Sequence, residues 1–151
     1  MSERMILDRE IVPAPYTLHE ELPEGYVPTA KTAIPATEWL RLSSAGDDLS
    51  GVGVIVQGDT DLAPLKEHLG DVAFFALSFP LVKDGRSYSH ARRLRTHWGY
   101  EGTLLAFGDV QRDQATNMAR CGINAFYMRA GEDLEATISG FERFSAYYQY
   151  A

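Results

Sequence analysis

A single cysteine, Cys121, stands in a chain of 151 residues. That excludes an intrachain disulfide and any four-cysteine zinc or iron–sulfur site. No stretch approaches the ~20 consecutive apolar residues that a membrane-spanning helix needs. The opening segment, residues 1–10, is charged and lacks the basic-then-apolar order of a secretory signal. Basic excess is missing as well. The formal charge is −7, so the broad cationic footprint of a nucleic-acid binder is absent. A cytoplasmic protein with neither nucleic-acid nor membrane partners is expected. Gly51-Val52-Gly53 precedes an apolar run instead of following one, and no glycine-rich loop ends in Gly-Lys-Ser/Thr, so nucleotide fingerprints are absent. His90 and His97 share a helix face but stand about 10 Å apart along its axis. His19 and His68 have no ligand pattern beside them. No metal and no cofactor are expected.

What remains is a composition of 45% hydrophobic and 23% charged residues, enough for one buried core at this length. The charge is unevenly spread. Residues 1–79 carry −8, residues 80–129 carry +4 and residues 130–151 carry −3. The basic segment is nearly all arginine, at positions 86, 92, 93, 95, 112, 120 and 129. Arginine suits a planar, bidentate grip on oxyanions or carboxylates. The alternative is a solvated helix face with internal ion pairs.

Five of the seven prolines fall within residues 1–50, which reads as an irregular N-terminal arm. Within it, Met5–Leu7 is a short strand and Pro35–Leu42 a helical turn with Trp39 and Leu40 facing inward. From residue 51 to 151 the pattern becomes regular. Residues 52–56, 72–79, 103–107 and 125–128 are apolar runs of strand type. Between them and after them, residues 62–69, 88–98, 110–120 and 134–148 have helical spacing. Asp61 is placed to cap the first of these, Ala91, Leu94 and Trp98 form the buried stripe of the second, and Gly122 closes the third.

Strand and helix alternating four times define an α/β fold with a parallel sheet and right-handed crossovers. Four such units make either a half-barrel or a small open doubly wound sheet. In both, ligands gather at the C-terminal strand ends. Those positions are Gly58-Asp59, the loop from Pro80 to Ser89, Gly108-Asp109 and Arg129.

The longest loop puts Asp84, Gly85 and Arg86 ahead of a helix opening Ser87-Tyr88-Ser89, an arrangement suited to an anion. Arg86, Ser87, Tyr88, Ser89, Arg92, Arg95, Asp113, Gln114 and Arg129 are therefore candidate ligand-binding residues, and Asp84 and Asp109 candidate catalytic acids. Each has a structural alternative. Asp84-Gly85 also reads as a turn, Ser87 as an N-cap, and Asp109 as the N-cap of the 110–120 helix. Arg92 and Arg95 lie within reach of one another, while Arg93 faces water. Cys121, at a helix end with no base nearby in sequence, reads as a small core residue.

The run Phe79-Pro80, Asp84 to Ser89, Ala91-Arg92, Leu94-Arg95, Gly99, Gly102, Gly108-Asp109-Val110, Asp113-Gln114, Cys121-Gly122 and Ala125-Phe126 resembles a bacterial family, domain of unknown function 934. The resemblance covers about residues 79–127 strongly and extends weakly to both ends. Members are usually encoded beside assimilatory sulfite reductase and phosphoadenylylsulfate reductase, and many carry an oxidoreductase label. The resemblance implies a role in sulfate or sulfite reduction, with either reductase or a small oxyanion as partner. It supplies no catalytic residue, and the chain has no flavin, nicotinamide, haem or iron–sulfur signature. Two functions stay open. One is an accessory protein holding an anion or reductase on the strand-end face. The other is a small enzyme with Asp84 or Asp109 as acid–base and Arg86 as electrostatic stabiliser. At the C-terminus, Phe141, Phe144 and Tyr148 have core spacing. Tyr147 and Tyr150 are left to dock on the arm or on a second copy, as in a homodimer.

Overall fold

The computed structural model describes residues 4–80 and 85–149. It is a mixed α/β structure around one eight-stranded sheet. The strands are β1 (Arg4–Leu7), β2 (Glu10–Pro13), β3 (Thr17–Leu18), β4 (Thr32–Pro35), β5 (Gly53–Val56), β6 (Phe74–Phe79), β7 (Thr103–Gly108) and β8 (Ala125–Phe126). Their spatial order is β2-β1-β8-β7-β6-β5-β4-β3. From β3 to β8 all neighbours are parallel, and β1 is antiparallel to both β8 and β2.

The sheet is curled, and the chain's connectivity shows why. β2 and β3 are the two edges, yet only Ala14, Pro15 and Tyr16 separate them in sequence. Those residues reach at most about 14 Å, whereas the outer strands of a flat sheet this wide would lie about 33 Å apart. The sheet therefore rolls until its edges nearly meet, giving a half-barrel. Its concave face is filled by Met5, Ala33, Ile55, Phe74, Ala76, Leu105, Phe107, Ala125 and Tyr127, with Val12, Ala14, Tyr16 and Leu18 laid across them. Tyr16 stacks on Phe74 at 4.4 Å between ring centroids. Phe74 in turn covers Gly53, where a Cβ would sit 2.6 Å from its ring.

The convex face carries the helices: α1 (Ala36–Ser44), a 3-10 turn (Ala63–His68), α2 (Arg86–Arg92) continued by a π turn (Arg93–His97), α3 (Arg112–Arg120) and α4 (Leu134–Gln149). Trp39, Leu65, Ala91, Leu94, Met118 and Phe141 join one core with the convex residues of the strands. Alternation along β6 makes the division plain, since Phe75, Leu77 and Phe79 meet the helices and Phe74 and Ala76 point inside. Helices line one face only, so the half-barrel holds and the doubly wound alternative falls.

The N-terminal region is more ordered than its prolines suggest. The expected strand and helical turn are β1 and α1, but β2, β3 and β4 join them in the same sheet. Pro13 closes an edge strand and Pro35 is the last residue of β4, positions where a missing N–H is tolerated. The β1–β2 hairpin turns on Asp8 and Arg9, whose φ values are 50° and 67°, the paired positive angles of a two-residue turn. Asn124 holds this turn. Its carbonyl accepts the Asp8 N–H at 2.9 Å, and its Nδ2 donates to Asp8 Oδ1 at 2.9 Å. The 62–69 helix is a 3-10 turn that buries Leu65, with the N–H of Ala63 donated to Asp61 Oδ1 at 3.0 Å. Leu81–Asp84 lie outside the described residues, as do the side chains of Phe144, Tyr147, Tyr148 and Tyr150.

Candidate functional site

Parallel β6, β7 and β8 end side by side, and an arginine follows each: Arg86 opens α2, Arg112 opens α3 and Arg129 follows β8. All three are exposed. Arg129 is held by two carboxylates. Its Nε donates to Glu132 Oε1 at 3.0 Å, and its Nη1 faces Asp109 Oδ1 at 3.4 Å. Asp109 Oδ2 accepts from Gln111 Nε2 at 2.7 Å, and Glu132 Oε2 accepts the backbone N–H of Arg112 at 3.3 Å. The carboxylates are well covered, Asp109 at 14% and Glu132 at 16% side-chain exposure against 45% for Arg129. Arg129 Nη2 donates to no described protein group. An arginine with its Nε and one terminal nitrogen anchored and the other outward is a preorganised donor for an oxyanion or carboxylate.

Backbone geometry sets this cluster. Gly108 has φ of 100°, and a Cβ there would lie 2.5 Å from the carbonyl oxygen of Phe79. The Asp109 N–H donates to that same oxygen at 2.7 Å. Only glycine permits so close an approach, and it turns Asp109 toward Gln111 and Arg129. Asp109 is consequently not the N-cap of α3, because that helix begins at Arg112 behind Gln111.

The remaining candidates divide. Ser87 is buried, and its hydroxyl donates to the Ser78 carbonyl at 2.6 Å, so it fastens α2 to β6 rather than capping the helix. Tyr88 lies edge-on to Phe79 at 5.1 Å and donates to Gln114 Oε1 at 3.4 Å. Burial raises its phenol pKa, and Cys121 and Asp113 nearby add to that. The Ser89 N–H is turned along the helix onto Gly85 O at 3.3 Å. Arg92 is exposed further down the helix, near Cys121. Asp113 lines a polar groove of about 560 Å³ between α3 and α4 with Arg112, Thr116 and Thr137. Asp84 lies outside the described residues.

Arg95 belongs to the opposite end of the sheet. It donates to Gly122 O from Nε and Nη2, and to Tyr100 O and Gly102 O from Nη1, at 2.6–3.1 Å. These carbonyls precede β7 and β8, so Arg95 ties the N-terminal strand ends together and shares nothing with Arg129. The π turn, with Trp98 N–H on Arg93 O at 2.9 Å, interrupts the α-helical register there. Burial lowers the Arg95 pKa, with Tyr100 and Asp8 opposing the shift.

Cys121 is buried, as expected. Burial raises its thiol pKa, with Arg92 and Arg120 pulling the other way, which disfavours the thiolate a nucleophile needs. Sequence reasoning missed Gln111 and Glu132. Their signals were Asp109-x-Gln111 and Arg129-x-x-Glu132, spacings at which a turn brings side chains together. Among the described residues no group of three or more histidines, cysteines and acids is arranged to hold a metal ion. Nor is any described helix long and apolar enough to cross a membrane.

A family model described as a bacterial protein of unknown function, DUF934, matches residues 53–151, from the start of β5 to the end of the chain. No curated protein matches the sequence.

Proposed function

Because the chain belongs to the bacterial DUF934 family, we propose that it is an accessory protein of assimilatory sulfate or sulfite reduction, working in the cytoplasm. In this reading its strand-end face holds a small oxyanion, free or presented by a partner reductase. One observation carries the reading. Three exposed arginines follow three adjacent parallel strands, and one of them, Arg129, is preset by Asp109 and Glu132. Anchoring a guanidinium in advance removes part of the ordering cost of binding, and its planar fork matches a sulfur or phosphorus oxyanion.

The test is calorimetric titration with sulfite, sulfate, phosphate and adenosine phosphosulfate on the wild type and on Arg129→Ala. Binding by the wild type that weakens at least about tenfold in the variant, about 1.4 kcal/mol, supports the reading. No binding to either protein removes the free-anion version. Capture of sulfite reductase or phosphoadenylylsulfate reductase from sulfate-starved cells then tests the partner version, and recovery of neither removes it.

A second reading is a small enzyme acting on a sulfur-pathway metabolite. The observation favouring it is the covered Asp109 carboxylate, held by Gln111 and Arg129 at a strand end. There Asp109, with Asp84, would exchange protons while Arg86 stabilised charge. Asp109→Asn that keeps anion binding but loses turnover of an adenylylated oxyanion supports this reading, and retained turnover in an Asp84→Asn, Asp109→Asn double variant excludes it.

A further inference from the structure

The polar groove between α3 and α4 opens directly beside the Arg129 cluster, and Arg112 belongs to both. Its backbone N–H donates to Glu132 Oε2 at 3.3 Å, while Glu132 Oε1 holds Arg129 Nε at 3.0 Å. With Asp113 and Thr116, Arg112 also forms the α3 wall of the groove, and Ala136, Ser139 and Gly140 stand opposite on α4. The space of about 560 Å³ has the size of a site for an organic ligand, far more than a tetrahedral oxyanion occupies.

Two observations make this groove more than a crease between helices. Gly140 lies in the interior of a sixteen-residue helix, where glycine is the poorest residue after proline. Its φ is not positive, and a Cβ added there would meet Thr116 Oγ1 at 3.9 Å, an ordinary contact. Among the described residues nothing in backbone or packing therefore requires glycine, and its effect is to leave the groove open. The second observation is that the side chains of Arg112, Asp113, Thr116 and Ser139 make no hydrogen bond or ion pair with the described residues.

Those four side chains decide what can lie in the groove. A guanidinium only donates, a carboxylate only accepts, and the two hydroxyls do either. Asp113 repels a second anion, and among the lining residues there is no ring and no apolar side chain beyond Ala136. A neutral group that donates and accepts at several points, a set of hydroxyls, meets all of these demands. We propose that the oxyanion held by Arg129 is the phosphate or sulfate ester of a sugar, whose hydroxyls lie in the α3–α4 groove. The proposal rests on the oxyanion reading and deepens it, since it names what the anion is attached to.

The test titrates the full chain with inorganic phosphate, butyl phosphate, ribose 5-phosphate and adenosine monophosphate, each on the wild type, Arg129→Ala and Gly140→Leu. Ribose 5-phosphate is expected to bind at least about tenfold more tightly than inorganic phosphate or the hydroxyl-free butyl ester. Adenosine monophosphate is expected to match it, because no ring lines the groove for a base to stack on. Gly140→Leu is expected to fill the groove and abolish the advantage of ribose 5-phosphate while leaving inorganic phosphate unchanged. Its melting temperature should be no lower than that of the wild type, since leucine favours a helix over glycine. Arg129→Ala is expected to weaken every probe. Three results overturn the proposal and leave the oxyanion reading in place. They are inorganic or butyl phosphate binding as tightly as ribose 5-phosphate, a ribose 5-phosphate advantage that survives in folded Gly140→Leu, and adenosine monophosphate binding at least about tenfold tighter than ribose 5-phosphate, which assigns recognition to the base. Should Gly140→Leu fail to fold, the comparison of probes on the wild type decides. No binding of any probe up to about 10 mM, or binding that survives Arg129→Ala, overturns both.

Discussion

The phenol of Tyr127 makes a closed pair of hydrogen bonds with the backbone of Tyr16: it accepts from the N–H at 2.9 Å and donates to the C=O at 2.7 Å. One hydroxyl thus satisfies both main-chain groups of the residue that spans the gap between the two sheet edges. Tyr127→Phe keeps the ring and leaves both backbone groups unpaired. We expect a loss of about 1–3 kcal/mol, read as a lower urea midpoint with an unchanged slope. A slope that changes as well would mean the concave face had opened.

Alkaline pH acts on the same face and on the one opposite. Burial pushes the Tyr100 phenol up to about 12, with Arg95 opposing the shift, and burial also raises Tyr127. Unfolded tyrosines ionise near pH 10, so above that the unfolded chain binds fewer protons than the folded one and stability falls as pH rises. The contribution is complete below about pH 10 and is lost toward pH 12. Urea unfolding from pH 8 to 11.5 checks this. Tyr100→Phe, which also gives up the bond to Val72 O at 2.8 Å, should flatten the decline while lowering the plateau.

Arg95 gathers three carbonyl oxygens that have no other role in the helices or the sheet. Arg95→Met should cost about 3 kcal/mol, roughly one per abandoned acceptor. Arg95→Lys should recover less than half of it, since a point charge cannot reach both sides of the fork. Thermal melting of the three proteins decides this. If Arg95→Ala abolished anion binding in protein that is still folded, the assignment of Arg95 to the far end would be wrong.

Gly108→Ala is a test of the site's backbone. Its positive φ and the 2.5 Å approach to Phe79 O leave no room for a methyl group, so β6 and β7 must part at their ends. A loss above about 1 kcal/mol is expected, together with weaker oxyanion binding, because Asp109 moves with the strand. A variant of full stability with unaltered binding would contradict this.

Much of the architecture was legible because β5 to β8 are apolar on both faces and separated by helical spacing. The runs at 72–79 and 103–107 needed no tertiary information. β2 and β3 carry no such signal, being short and half polar, and β4 is signalled only by Ala33 and Ile34 ahead of a proline. The curl is not legible in the sequence, because it follows from β3 lying beside β4 and only three residues from β2. In the site, Arg129 and Asp109 followed from position at strand ends. Wheel geometry alone sets Arg95 beside Arg92. Nine residues past Arg86, it sits about 13 Å down the helix, too far to share the same rim. Gln111 and Glu132 are not legible by periodicity, because side chains outside regular elements have no period.

The pairing of β1 with β8 sets Ile6 against Phe126, and this has a bearing on how the protein is made. β1 pairs at once with its hairpin neighbour β2, but its other edge waits for β8, the last strand of the sheet, so the curl can close only after β8 has been made. Pairing across so long a loop is slow, and until then the apolar lining around Ile55 and Phe74 lacks its cover. A chain released short of β8 should therefore be a target for chaperones and proteases rather than a smaller folded domain.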